Sequence, residues 1–332
     1  MSNPRLRIDL ARITHNARKT VDMARSHGVE VTGVTKGVAG NAEVARAMLA
    51  GGIQTLADSR LDNIARLRSA GIEAPVMLLR SPGPSEVSRT VALADVSLNA
   101  GMAIMEALSS EALARHKVHG VILMVDLHTG REGLLPDQVP AACRRLRELP
   151  GVQLQGIGAY YRRWSACELL LEGLKAFVAV AKQVESQLGP LPLLSGGSSN
   201  IFRTLMIEGH SNPGINHVRV GTILLLGFRS SIDPVTLPGY ERDTFVLHAE
   251  VIETKAQGSG EAILALGKLD TDPEFLFPME PGVQICDASS DHLVVRTSAP
   301  TRVGDWVGFR LGYPALSRLM VSPYLELEYV KD

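Results

Sequence analysis

The sequence lacks the residue patterns of disulfide-rich, zinc-knuckle and membrane-spanning proteins. Its 332 residues include three cysteines, Cys143, Cys167 and Cys286, whose wide spacing suggests neither a disulfide framework nor a zinc knuckle. No apolar run approaches the roughly 20 residues of a membrane-spanning helix, and the N-terminus has no apolar core of signal-peptide length. We therefore expect a cytoplasmic protein without a membrane anchor or a metal.

An excess of charge of one sign is also missing. The chain has 34 basic and 35 acidic residues, which gives a formal net charge of −1. Interspersed charges of this kind produce no long-range field that would attract nucleic acid or an anionic membrane. With 45% hydrophobic residues the chain can bury a sizeable core. We expect a small molecule as its partner.

Short runs of apolar and β-branched residues alternate with stretches of helical period, a pattern typical of a parallel sheet wrapped by helices. The runs are 29–35, 53–57, 75–79, 95–98, 118–126, 152–160, 191–195 and 216–220. Eight strand-helix units favour a (β/α)8 barrel of the TIM type over a doubly wound sheet, whose glycine-rich fingerprint is missing. The sequence thus predicts an α/β barrel domain over residues 11–229.

The sequence pattern changes after Arg229, where short strand-like segments are separated by Gly, Pro and Asp. These segments are 245–256, 261–267, 283–289, 292–298 and 305–311. They predict a smaller C-terminal all-β domain over residues 230–332, and we assign the extended opening segment 5–10 to it. Within the barrel, the apolar spacing predicts a helix that Ser59 caps and Gly71 ends.

Lys36 lies at the end of the first barrel strand, and the next helix is predicted to begin near Asn41. Barrel enzymes carry out their chemistry at this end of the strands. A lysine that emerges from an apolar barrel loses its proton more easily, because desolvation disfavours the ammonium. Lys36 is therefore a candidate nucleophile, and the alternative is a solvent-facing loop lysine.

A glycine- and serine-rich segment, 195–200, joins the seventh strand to the next helix. Its glycines allow backbone N–H groups to approach an anion, and a helix start adds partial positive charge. Barrel phosphate sites frequently form after the seventh and eighth strands, and Gly221 follows the eighth. The segment predicts a phosphate site, and the alternative is a flexible turn.

Two arginines are predicted at the same rim. Arg219 stands among valines on the eighth strand, so a buried guanidinium there needs an acceptor, which a structural ion pair would also supply. Arg131 lies in the loop after the fifth strand, where its planar fork suits a carboxylate, although a solvated loop arginine is the alternative. An amine, an anion cradle and two arginines on one rim favour a shared ligand.

Fragments along nearly the whole chain resemble one family. They are IDLARITHNAR, VTGVTKG, DSRLDNIARLRSAGI, REG at 131–133, SGGSS, GINHVRVGTILLLG, ASSDHL and SPYLE. In this order and spacing they resemble the ornithine-racemase branch of the alanine racemase family. The resemblance implies a fold-type-III amino-acid racemase that uses pyridoxal 5′-phosphate. It also implies a homodimer in which each active site borrows residues from the partner.

The resemblance further implies roles for individual residues. Lys36 matches the lysine that binds the cofactor aldehyde, Arg219 faces the pyridine nitrogen, and Arg131 lies near the phenolic oxygen and the substrate carboxylate. The phosphate region comprises Ser198, Ser199, Gly221 and Thr222. Racemisation needs a base on each face of the α-carbon. Lys36 would supply one, and Tyr313 from the partner's C-terminal domain is our candidate for the other, with a tyrosine in a β core as the alternative.

The sequence departs from the family pattern at three places. The loop after the sixth strand, around residues 156–168, lacks a longer polar stretch, residues 255–262 form a shortened loop, and Thr222 replaces a common glutamate. These departures leave ornithine, lysine, alanine or a modified amino acid open as the substrate.

Three other functions remain open from the sequence. The first is a different pyridoxal phosphate reaction, such as an aldolase or a decarboxylase, although the C-terminal His/Asp metal pair of the aldolases is not found. The second is a non-enzymatic cofactor carrier, which would lack the C-terminal domain. The third is a phosphate-binding barrel without a pyridoxal cofactor.

Overall fold

The computed structural model describes residues 3–161, 167–230, 234–255 and 260–331. The chain forms two compact units. The barrel unit comprises Thr20–Lys36 and Gly40–Gly221, and the sheet unit comprises Met1–Lys19, Gly37–Ala39 and Thr222–Asp332. Strand β1, Arg5–Asp9, opens the described chain, and helix α1, Leu10–Arg25, follows it.

Eight parallel strands of the barrel unit close into a barrel in chain order, because β2 pairs with both β3 and β9. The strands are β2 Glu30–Val34, β3 Thr55–Asp58, β4 Val76–Leu78, β5 Val96–Asn99, β6 His119–Val125, β7 Val152–Ala159, β8 Leu193–Ser195 and β9 His217–Val220. Each strand overlaps one of the predicted runs. The predicted (β/α)8 barrel is therefore confirmed.

Helices follow the strands in alternation. They are α2 Ala42–Ala50, α3 Leu61–Ser69, α4 Val87–Leu93, α5 Met102–Ala114, α6 Val139–Arg147, α7 Cys167–Leu188 and α8 Ser199–Phe202. Short 3₁₀ turns at Lys36–Val38 and Pro84–Glu86 precede α2 and α4, and a π-helical turn, Arg203–Ile207, follows α8. Part of the barrel interior is apolar, since Val34, Met77 and Ile122 belong to one buried cluster.

The starts of two helices can be compared with the sequence predictions. Helix α2 begins directly after Asn41, close to the predicted start, and the Asn41 side chain accepts the N–H of Val44 at 3.1 Å. The predicted Ser59 cap of α3 is wrong, because the N-cap is Arg60 and makes no side-chain cap bond. Instead, the Asp58 carboxylate accepts the Arg60 N–H at 3.0 Å. The side chain of the last residue of β3 thus satisfies the backbone donor directly before α3.

The sheet unit is built mainly from antiparallel strands in the order β12-β15-β10-β11-β14-β13, with β1 pairing with β10 and β16. The strands are β10 Phe245–Thr254, β11 Glu261–Leu264, β12 Leu276–Pro278, β13 Val283–Ala288, β14 Leu293–Thr297, β15 Trp306–Leu311 and β16 Glu326–Val330. This confirms the predicted C-terminal β architecture. Two helices, α9 Thr222–Leu226 and α10 Tyr313–Leu319, and a 3₁₀ turn at Pro273–Phe275 complete the unit.

Helix α10 is an exception to the expected all-β pattern. Gly312 precedes it in extended conformation, and Pro314 occupies the first turn, where its missing N–H costs no hydrogen bond. Tyr313 therefore begins a helix and is not a residue of a β core. Among the described residues, no helix is long and apolar enough to cross a lipid bilayer.

Close backbone contact at Gly156 of β7 predicts a strong effect of a small substitution. A Cβ there would lie 1.9 Å from the carbonyl oxygen of Leu193 on the neighbouring strand, so the barrel wall would have to shift. We expect Gly156→Ala to lower the free energy of unfolding by about 1–3 kcal/mol in urea denaturation. The control Gly83→Ala, where a Cβ meets its nearest atom at 3.8 Å, is expected to change it by less than about 0.5 kcal/mol.

Candidate active site

Lys36 follows β2 and begins the 3₁₀ turn at the carboxyl end of the barrel strands. Its side chain keeps solvent access, yet many protein atoms surround it. This desolvation, together with the positive charges of Arg131 and Arg219, lowers the pKa of the Lys36 ammonium, while Asp58 and Glu132 oppose the change. Lys36, Arg131 and Arg219 thus lie within electrostatic reach of one another, as the sequence predicted for one rim.

Asp58 is a site residue that sequence reasoning missed. It ends β3 beside Lys36 on the barrel rim, is fully buried, and accepts hydrogen bonds from Thr35 Oγ1 at 2.8 Å and Asn63 Nδ2 at 2.9 Å. Burial raises the pKa of its carboxyl, and these donors oppose the rise. An aspartate at the carboxyl end of a barrel strand was the available signal.

The Arg219 guanidinium is buried within the barrel, with 7% of the residue exposed. It donates to the Ser195 hydroxyl and, through Nη2, to the carbonyl oxygen of Ala159 at 2.9 Å. No carboxylate forms an ion pair with it in the part of the chain that the structure describes. Burial lowers its pKa to about 10, so the group stays positively charged at neutral pH. The alternative of a structural ion pair is therefore not what holds Arg219.

A chain of hydrogen bonds fixes the far side of Ser195. His217 is buried, with Nδ1 at 2.8 Å from Ser195 Oγ and Nε2 at 2.8 Å from Thr32 Oγ1. Because a guanidinium only donates, Ser195 accepts from Arg219 and turns its own proton toward His217 Nδ1. The imidazole proton then resides on Nε2, facing Thr32. Burial, and secondarily the charge of Arg219, lowers the His217 pKa to about 3, so the ring is neutral.

The glycine- and serine-rich segment packs closely against its neighbours. A Cβ at Gly196 would lie 2.5 Å from Ile215, and one at Gly197 would lie 2.8 Å from Ile201. Ser199 Oγ accepts the N–H of Gly221 at 3.2 Å, so the loops after β8 and β9 meet. Ser198 stands directly before α8. Three of the four residues predicted for the phosphate region, Ser198, Ser199 and Gly221, thus lie along this junction, and Thr222 follows as the first residue of α9.

Two tyrosines after β7 complete the rim of the barrel unit. The Arg131 guanidinium lies over the Tyr160 ring at 4.0 Å and pairs with Glu132 at 2.8 Å. The Arg131 guanidinium therefore already binds a carboxylate, that of Glu132. The buried hydroxyl of Tyr161 has no hydrogen-bond partner among the described residues, and burial raises its pKa while Arg219 opposes the rise.

Tyr313 lies in the sheet unit, where its ring packs against Gly37 of the same chain. A Cβ on Gly37 would come within 2.7 Å of the Tyr313 ring, so only a glycine fits there without a shift. Gly37 directly follows Lys36 in sequence.

A cavity of about 720 Å³ opens at the opposite end of the barrel strands, near their amino ends. Its lining includes Glu30, Thr55 and His217, and none of the residues predicted for the site. Barrel enzymes bind substrates at the carboxyl ends of the strands, so this cavity is not our candidate active site.

Residues 8–227 match the family described as the N-terminal domain of alanine racemase. The chain belongs to the alanine racemase family. It is 30% identical to a lysine racemase of Thermotoga maritima over 99% of both chains. It is 31% identical to an ornithine racemase of Acetoanaerobium sticklandii over 98% of this chain and 99% of that one. This alanine racemase family member is therefore a racemase enzyme, and the resemblance noted in the sequence is confirmed.

Solved structures show the same fold. An alanine racemase of Clostridium difficile 630 superposes with a TM-score of 0.81 and 16% identity, over 99% of this chain and 96% of that one. A D-threonine aldolase from Filomicrobium marinum reaches a TM-score of 0.79 at 15% identity, over 96% and 91%. Because racemase and aldolase structures both match, the fold of the family does not choose between their reactions.

Burial of neutral His217 predicts a pH dependence of stability. Its pKa is about 3 in the folded chain against an ordinary 6.5, so below pH 6.5 the unfolded chain binds a proton that the native state does not. The free energy of unfolding therefore falls with pH from 6.5 toward about 3, by up to about 1.4 kcal/mol per pH unit. Urea unfolding at several pH values should give a shallower slope for His217→Gln, with exposed His27→Gln as control. Equal slopes in the wild type and His217→Gln would contradict this.

Proposed function

We propose that the protein is a pyridoxal 5′-phosphate-dependent amino-acid racemase that works in the cytoplasm as a homodimer. The barrel domain, 11–229, would hold the cofactor, and residues 230–332 with strand β1 would form the C-terminal domain. The observation that carries the proposal is the buried, charged Arg219, which lacks a carboxylate partner among the described residues and lies within electrostatic reach of Lys36, whose pKa is lowered.

Four features of the barrel rim fit this cofactor. Lys36 is an amine more easily deprotonated than an ordinary lysine, as attack on an aldehyde requires. Arg219 offers a charge without an anionic partner in the described chain, and the buried Tyr161 hydroxyl lacks a hydrogen-bond partner there. The loops that carry Ser199 and Gly221 meet where a phosphate would be held, since Ser199 Oγ accepts the N–H of Gly221.

Each residue would take one task. Lys36 would bind the aldehyde, and Arg219 would face the pyridine nitrogen. The phosphate would be held by Ser198, Ser199, Gly221 and Thr222. When bound, pyridoxal phosphate withdraws electrons from the substrate and so acidifies its α-proton. The permanent charge of Arg219 would keep the facing ring nitrogen free of a proton, which limits this withdrawal and favours racemisation over transamination.

The hydrogen bonds behind Arg219 support this task. Ser195 and the Ala159 carbonyl hold the guanidinium from two sides, and His217 turns the Ser195 lone pair toward it. Since His217 is neutral at working pH, it adds no positive charge beside Arg219. The charge is therefore fixed in position before any ligand arrives.

Substrate binding would involve Arg131. Because Glu132 already occupies its fork, an incoming carboxylate must displace or share that contact. The full-length similarity to a lysine racemase and an ornithine racemase supports a basic amino acid as the substrate class. A panel of amino-acid enantiomers, followed by chiral chromatography, tests this directly. Equal failure with every amino acid would contradict the proposal.

Removal of Lys36 tests cofactor attachment. We expect wild-type protein mixed with pyridoxal phosphate to gain a visible absorbance band, and borohydride to leave a stable pyridoxyl group on Lys36 in peptide mass spectrometry. Lys36→Ala should lose the band, the label and the racemase activity, because the reacting amine is gone. The surface variant Lys182→Ala should keep all three. A label on another lysine in the wild type would overturn the assignment.

Tyr313 would be the second base, on the face of the α-carbon opposite Lys36. We expect Tyr313→Phe to slow interconversion by about 10²–10⁴-fold, because a general base is lost. Exchange of the α-proton with deuterated water should continue from one enantiomer only, since Lys36 remains. The control Tyr324→Phe changes a tyrosine that is 65% exposed. Unchanged interconversion in Tyr313→Phe would remove Tyr313 from the mechanism.

Mixed dimers distinguish whether Tyr313 acts in the active site of the partner subunit or in that of its own chain. If the partner subunit's Tyr313 serves each site, co-expressed Lys36→Ala and Tyr313→Phe chains restore activity, because one site in each mixed dimer is intact. If Tyr313 serves its own chain, the mixture stays inactive. Either result keeps Tyr313 as the second base.

A further inference from the structure

Three potential metal ligands meet outside the candidate active site, within the barrel unit. Cys167 is the first residue of α7, and Glu208 and His210 follow the π-helical turn Arg203–Ile207. Their ligand atoms all lie within 4.8 Å of one another. Cys167 Sγ and His210 Nε2 are 3.6 Å apart. Cys167 is partly buried, whereas Glu208 and His210 are exposed, so an ion could reach the cluster from solvent.

We infer that Cys167, Glu208 and His210 form a zinc-binding site. A thiolate, an imidazole and a carboxylate are the ligands that zinc takes in proteins. With zinc–sulfur and zinc–nitrogen bonds of about 2.3 and 2.0–2.1 Å, a tetrahedral ion places its sulfur and nitrogen ligands about 3.6 Å apart. The two side chains already have this separation. Three protein ligands leave the fourth position for water.

The neighbouring ion pair supports this assignment. Arg203 Nε lies 3.1 Å from Glu208 Oε1, and this ion pair helps to hold the carboxylate in place. Arg203 remains 22% exposed, so its charge is partly screened by solvent.

Zinc at this site would join two segments that are 43 residues apart in sequence. One is the N-terminus of α7, and the other follows α8 and the π-helical turn. The glycine- and serine-rich segment leads directly into α8, which begins after Ser198, and the π-helical turn follows α8. The ion would therefore hold the chain in place just beyond this turn. Its role would be to stabilise this part of the barrel rather than to take part in proton transfer.

The test measures zinc binding to untagged, full-length protein after treatment with a chelator. Titration calorimetry with zinc chloride should give one ion per chain with a Kd of about 1 µM or lower. Cys167→Ser and His210→Gln should each weaken binding about tenfold or more, because each loses a ligand. Cys286→Ser, which removes an exposed cysteine of the sheet unit, should bind as the wild type does.

Cobalt(II) reports the geometry independently of catalysis. The wild type should develop the visible bands of a tetrahedral cobalt ion and a thiolate-to-cobalt charge-transfer band, which Cys167→Ser should lose. Excess zinc should also raise the Tm of the wild type, because it binds the folded state. Circular dichroism checks folding, and Glu208→Gln, which keeps the side-chain shape, supplies a further variant if another one unfolds.

Three outcomes would overturn the site. They are the absence of saturable zinc binding, binding that Cys167→Ser and His210→Gln leave unchanged, and a cobalt spectrum without a thiolate band. None of these results depends on pyridoxal phosphate or on racemase activity. A failure of the zinc site would therefore leave the proposed function untouched, and a failure of the proposed function would leave the zinc site untouched.

Discussion

The burial of one positive charge organises the interior of this barrel. Arg219 is nearly removed from water, and a buried guanidinium without partners would be strongly destabilising. The barrel meets this demand with neutral acceptors, the Ser195 hydroxyl and the Ala159 carbonyl, instead of a carboxylate. Strand β7 also makes room, since a Cβ on Gly158 would lie 3.3 Å from Arg219 Nη1. The result is a fixed charge held by neutral acceptors.

Much of the fold was readable because parallel barrel strands are buried on both faces and therefore appear as continuous apolar runs. Strand β6 is the clearest case, with all of His119–Val125 buried. The start of α3 was not readable, because Ser59 and Asp58 both carry side-chain oxygens, and only the geometry shows that Asp58 accepts the Arg60 N–H. Helix α10 was missed, since a helix of seven residues gives too short a period to stand out between strands.

The candidate site was partly readable for a related reason. Lys36 and Arg219 could be placed because the carboxyl ends of barrel strands share one rim. The roles of Ser195 and His217 arise from the pairing of β8 with β9, which sets these two residues side by side although 22 positions separate them. Cys167 and His210 are likewise brought together only by tertiary structure, so their sequence spacing resembles no metal motif.

The π-helical turn Arg203–Ile207 has a consequence for the segment that follows it. A π turn holds one residue more than the α-helical path it replaces, and such turns are frequent at functional sites. The wider turn sets the point at which the chain leaves the helix, directly before Glu208. The path of the segment that carries Glu208 and His210 therefore starts from a turn of non-standard width.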